Sequence, residues 1–155
     1  MISEHLPDRP AIVLLLRLLH QHMVQEIDAA LRASGFDDIR PAHSNVFPFV
    51  PEQGIQVITL AGLAGVRKQS MAQSIEQLER AGYVYREPDP SDGRAALVFL
   101  TERGKSVRPI AIEAGRRVEQ RWAELVGAGE IESLRRSLKQ LLEAVRQDDG
   151  DLSPD

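Results

Sequence analysis

The side chains best placed to do chemistry stand between Arg67 and Arg94, and that chemistry is hydrogen bonding to a patterned polar surface. Gln69, Ser70, Gln73, Ser74 and Gln77 recur at spacings of three and four, which gathers amides and hydroxyls on one side of a helix. Such groups read base edges: Gln pairs two-pronged with adenine, and Ser fits most bases or a phosphate. Arg67 and Lys68 lead into the run and suit phosphates. Arg94 follows Asp92-Gly93 in a turn-rich stretch, and an arginine at a hairpin tip suits the narrow, electronegative minor groove. A bare Asp92 would repel phosphate, so its expected task is to orient Arg94 or cap the turn. Arg86 either braces the hairpin or reaches a phosphate. Plainer roles compete, since any soluble helix has a polar face and Asp-Gly is a turn dipeptide anyway.

Composition narrows the field without deciding it. The 155 residues suffice for one domain with a core, and they include no cysteine, which removes disulfides, thiolate metal sites and thiol redox switching. The formal net charge of −4 disfavours a strong non-specific nucleic-acid binder. Locally, Arg67, Lys68, Arg80, Arg86 and Arg94 are balanced by Glu76, Glu79, Glu87, Asp89 and Asp92. Arrangement, not charge, has to carry a DNA-binding reading. The motifs HExxH, GxSxG, GxxxxGK[ST] and GxGxxG are missing, so no enzyme and no cofactor are expected. His20 and His22 are two apart on a helix and point to different faces, poor geometry for one metal ion. The longest apolar run, Ala11 to Leu16, is too short to span a membrane, and the N-terminus has no signal-peptide pattern, which makes the cytoplasm the expected location.

Positioning those side chains requires a particular series of elements. Met71, Ile75 and Leu78 form the apolar stripe of the polar helix, and Gly82 is suited to end it. Upstream, Thr59 is expected to cap a short helix over residues 59–65, and Gly65 to turn the chain into the next one. Downstream, Tyr83 to Arg86 and Ala95 to Leu100 read as two strands. Residues 11–34 carry the pattern of a long helix whose first half is apolar nearly all round, and a second subunit is a natural cover for it. Residues 39–50 suggest a helix of about two turns, stopped by Pro48 and Pro51. A short strand is expected at Ile55 to Ile58. Thr101 is expected to cap a helix that Pro109 bends or restarts, the segment 127–129 to break it, and a last helix to run from Glu130 to Arg146. The first ten residues read as an arm, and 147–155 as an acidic, disordered tail.

The stretch from Gly82 to Gly104 resembles the wing signature of the multiple-antibiotic-resistance regulator (MarR) family of winged helix-turn-helix transcription regulators. It has Gly82, Tyr83-Val84, basic Arg86, Asp92-Gly93-Arg94 at the tip, Val98-Phe99-Leu100, and Thr101 followed by Gly104. Residues 59–82 resemble the two helix-turn-helix helices of that family. The resemblance implies a mainly α fold with a small β-hairpin wing, in which residues 55–100 form the winged helix-turn-helix. Residues 11–34 and 101–146 would supply dimerisation helices around a single domain. It also implies a homodimer on double-stranded DNA, most often a repressor, whose reading helix enters the major groove and whose wing enters the minor groove. Such regulators often release DNA when a small aromatic or phenolic effector enters a cleft. His43, Asn45 and Phe47 fall where that cleft would be, with ordinary packing as the competing role for each. The expected DNA contacts are therefore Arg67, Lys68, Gln69, Ser70, Gln73, Ser74, Gln77, Arg86, Asp92 and Arg94. The alternative is a winged-helix module that binds protein without DNA, which the neutral local charge keeps open.

Overall fold

The computed structural model describes residues 6–151, so the start of the expected arm and the end of the expected tail lie outside the described residues. The elements are α1 (Ile12–Ala33), a 3-10 turn (Pro41–Asn45), β1 (Ile55–Gln56), α2 (Val57–Ala64) and α3 (Lys68–Arg80). There follow β2 (Val84–Asp89), β3 (Asp92–Leu100), α4 (Glu102–Val126) and α5 (Ala128–Asp151). The strands pair antiparallel in the order β1-β3-β2, with Ile55 opposite Val98 and Val84 opposite Leu100. This is the expected mainly helical fold with a small β wing.

Two compact units divide between Gly115 and Arg116, part-way along α4. The first contains one hydrophobic core. Met71, Ile75 and Leu78 of α3 are buried in it with Leu60 of α2, Val46 and Val50 of the loop before β1, and Val84, Val98 and Leu100 of the wing. Full burial of side chains of this size is worth about 1.5–3 kcal/mol each, so the apolar stripe holds α3 in place. Gly82 then closes the helix at φ +80°, its N–H donating to the Glu79 carbonyl while Tyr83 N–H donates to the Leu78 carbonyl. That paired pattern needs a left-handed residue between, which glycine adopts without penalty.

Several boundaries differ from the sequence expectation. Because β1 runs straight into α2, the helix begins at Val57 with Gln56 as its cap residue, and Thr59 lies inside it instead of capping it. The expected two-turn helix after Arg40 is a five-residue 3-10 turn, with Pro41 at its start and Pro48 soon after its end. The wing strands extend three residues farther toward the tip than expected, leaving only Pro90 and Ser91 as the turn. Thr101 does cap α4, its hydroxyl accepting Gly104 N–H at 3.1 Å. Pro109 causes no restart, since α4 continues to Val126. Gly127 alone, at φ +103°, separates α4 from α5, which starts at Ala128 and runs through residues 147–151 of the expected tail.

Within the first unit, α1 leaves Ile12, Val13, Leu15, Leu16 and Leu19 open to solvent, and its fully buried residues are Asp28 and Leu31. Within the second, the exposed apolar side chains are Leu125, Val126, Leu134, Leu138, Leu141, Leu142 and Val145. There an ion pair joins Arg135 of α5 to Glu119 of α4 at 2.6 Å. None of the described helices is long and apolar enough to cross a membrane.

Candidate nucleic-acid interface

The solvent-facing side of α3 is narrower than its sequence suggests. Arg67, Lys68, Gln69, Ser70 and Gln73 are exposed, all toward its N-terminal end. Ser74, expected on that side, is buried at 9% exposure, because its row on the helix turns toward the core. Gln77 is half-buried, and its Oε1 meets the imidazole Nε2 of His43 at 2.8 Å. Recognition helices of helix-turn-helix proteins insert by their N-terminal residues, and the exposed group stands at that end of α3.

The wing presents Arg94 by an irregularity in its own pairing. Pro88 stands opposite Ala96, but the next residue, Asp89, stands opposite Asp92. Gly93, Arg94 and Ala95 therefore have no partner on β2 and bulge from the ladder, a device that re-aims a side chain. Asp92 Oδ1 accepts the Arg94 N–H at 3.1 Å, which shapes the bulge. The Arg94 side chain is exposed and has no ion pair or hydrogen bond among the described residues.

Beneath it, Asp89 anchors the tip. One carboxylate oxygen accepts the Ser91 N–H at 2.9 Å and its hydroxyl at 2.7 Å, and the other accepts Gln56 Nε2 at 2.6 Å. These bonds, that from Gln56 foremost, hold the Asp89 carboxyl below its ordinary range. Sequence reasoning missed this anchor, although Asp-Pro-Ser is the composition of a side-chain-closed turn. Arg86 braces the hairpin, its guanidinium closing on Glu79 of α3. Glu79, one of the acidic residues that balance the local charge, is the partner.

A junction at the far end of α3 was also unforeseen. Arg103 Nη1 donates to the Ala81 carbonyl at 2.9 Å, Thr101 Oγ–H to the Gly82 carbonyl at 2.6 Å, and Thr101 N–H to the Tyr83 carbonyl at 3.0 Å. Arg103 Nη2 also reaches Asp38 Oδ2 at 3.1 Å and the Tyr83 hydroxyl at 3.0 Å. The hydroxyl of Tyr83 donates to Asp38 in turn. Burial, reinforced by Asp38, pushes the Tyr83 phenol up to about 12, so it remains a donor at neutral pH.

Two of the three expected pocket residues belong to the core. His43 is 3% exposed and its Nδ1 accepts the Arg40 N–H at 3.1 Å, which makes Nε2 the donor to Gln77 and leaves neither nitrogen for a ligand. Phe47 packs edge-on against Tyr83, with ring centroids 5.9 Å apart. Asn45 does line an open cleft of about 500 Å³, together with Arg67, Ser70, Met71 and Ser74. Among the described residues no group of three His, Asp or Glu side chains gathers as a metal site would.

A short helix, a three-residue turn, a polar helix and a β-hairpin define a winged helix-turn-helix protein. Residues 39–95 match the family profile described as MarR family. The transcriptional regulator HosA of Escherichia coli O111:H- is 26% identical over 108 residues, spanning 70% of this chain and 80% of that protein. A crystal structure of MarR is similar in fold at a TM-score of 0.80 and 22% identity, covering 96% of this chain and 99% of that one. A mutant MarR from E. coli complexed with operator DNA has a TM-score of 0.69 at 24% identity, covering 83% and 91%. Residues 39–95 thus match the MarR-family profile, and the chain shares the fold of solved MarR structures.

Proposed function

We propose that this chain is a sequence-specific, double-stranded DNA-binding transcription regulator that works in the cytoplasm as a homodimer, most often repressing its target. The observation that carries this is the placement of Arg94, aimed outward by the wing bulge, on the same winged unit as the exposed N-terminal end of α3. Gln69, Ser70 and Gln73 are assigned to the major groove, Arg67 and Lys68 to phosphate and Arg94 to the minor groove. Ser74, Gln77 and Arg86 take supporting roles.

The exposed apolar faces of α1 and of the second unit, each taken by itself, support pairing, because clustered exposed apolar side chains mark an interaction site. Two copies related by a two-fold axis would read half-sites roughly 34 Å apart, one helical turn, in a pseudo-palindromic operator. A small aromatic or phenolic effector entering the cleft at Asn45 would meet Arg67 and Ser70 and so compete with DNA for the same side chains. Ser74 also lines that cleft, and its hydroxyl has no partner among the described residues.

Electrophoretic shifts with genomic fragments, including the region upstream of the chain's own coding sequence, test the reading. Salt-sensitive, sequence-selective binding at micromolar protein is the expected result. Its absence would favour the protein-binding winged module instead.

A further inference from the structure

We propose that Arg103 is a positioning residue for DNA reading: by holding the end of α3 to the first turn of α4, it sets which half-site spacing a pair of these chains accepts. The inference rests on the DNA-binding reading above and adds a specificity determinant outside the exposed reading side chains. Three consecutive carbonyls, those of Ala81, Gly82 and Tyr83, are each bonded by residues 101–103. They are the link between α3 and β2, so the reading helix and the wing share one point of attachment. A β-carbon on Gly104 would lie 2.1 Å from the Tyr83 carbonyl oxygen, which shows how closely α4 approaches that link.

Arg103 is the member that reaches beyond the link. Its guanidinium lies 4.4 Å from the Tyr83 ring centroid and also binds Asp38, which stands on the loop that follows α1. One side chain therefore ties together the loop from α1, the end of α3 and the start of α4. The Arg103–Asp38 pair is nearly half exposed, and an ion pair that open to solvent adds little to stability. Its geometry is what matters. The reading residue Gln69 lies twelve positions from Ala81, about 18 Å along the helix at about 1.5 Å per residue. A tilt of about 10° at the anchored end would move the reading end by about 3 Å, close to the 3.4 Å rise of one base-pair step.

The test compares full-length wild-type chain with Arg103→Lys and Asp38→Asn on duplexes carrying the half-sites that the wild type selects from genomic DNA. These are set at the selected spacing and at one base pair more or less. The wild type is expected to prefer its own spacing by about fivefold or more, and both variants to lose most of that preference while keeping the dimer mass. Faster amide exchange at Gly82 and Tyr83 in Arg103→Lys should accompany the loss. A preference unchanged in both folded variants overturns the proposal. So does an affinity that falls equally at every spacing, as a purely structural role would give. Should Arg103→Lys fail to fold, Arg103→Gln, which removes the charged fork that spans Ala81 and Asp38, takes its place beside Asp38→Asn. A wild-type chain that selects no half-sites would instead overturn the DNA-binding reading, and the positioning role with it.

Discussion

The guanidinium of Arg86, on β2, closes onto the carboxylate of Glu79, on α3, with Nη2 to Oε2 at 2.6 Å and Nε to Oε1 at 3.3 Å. The hydrogen bond from Arg86 lowers the Glu79 carboxyl from its ordinary value. Both side chains are more than a third exposed, so the pair contributes less than about 1 kcal/mol to stability. Its effect is on pose: it ties the root of the wing to the last turn of the reading helix. Arg86→Ala should therefore lower unfolding free energy in urea by under about 1 kcal/mol and leave the salt dependence of DNA binding unchanged. A salt slope reduced by about one would show that Arg86 contacts a phosphate after all.

Arg94 should behave in the opposite way. Its side chain is exposed and has no partner among the described residues, so Arg94→Ala should leave the melting temperature and oligomeric mass unaltered. DNA binding measured by fluorescence anisotropy should weaken by about 1–3 kcal/mol. Unchanged affinity would remove the wing tip from the interface.

Gly104 has a steric role that can be tested by denaturation. The nearest obstacle to a methyl group there is the Tyr83 carbonyl oxygen, part of the backbone, which cannot swing aside as a flexible side-chain end would. Gly104→Ala should destabilise the fold by at least about 2 kcal/mol, toward the upper end of overpacking costs. A loss within about 0.5 kcal/mol, the usual range for surface changes, would mean that α4 can retreat from the link at little cost.

Acid should loosen the wing tip. The folded-state pKa of Asp89 lies below its ordinary value of 3.8, so its contribution is fully present above that value and is lost as pH falls through the lowered one. The stability difference between wild type and Asp89→Asn should therefore hold at neutral pH, begin to shrink near pH 4 and vanish in stronger acid. Urea denaturation across that range is the measurement. A difference independent of pH would mean that the carboxylate charge is not what holds Gln56 and Ser91.

Much of the framework was legible because its signals are local. The stripe Met71, Ile75 and Leu78, the glycine that ends α3 and the cap at Thr101 are each set within a turn or two of chain, where periodicity and backbone freedom decide. The elements that shifted are those where a neighbour overrode local preference. Val57 turned helical because β1 leads directly into α2, and the segment after Arg40 stayed a 3-10 turn between prolines. The wing strands lengthened because Asp89, Ser91 and Gln56 knit the tip.

The candidate site divides along the same line. By itself the sequence determined that a polar helix precedes a hairpin carrying Arg94, because those features follow from residue type and spacing. Only the tertiary structure decided which polar residues remain available. Ser74 was turned inward and Gln77 was taken up by His43, 34 positions away; Arg86 was taken up by Glu79, and Arg103 was set between Asp38 and the end of α3. Contacts between residues on separate elements depend on how the core brings those elements together, and neither periodicity nor turn chemistry encodes that.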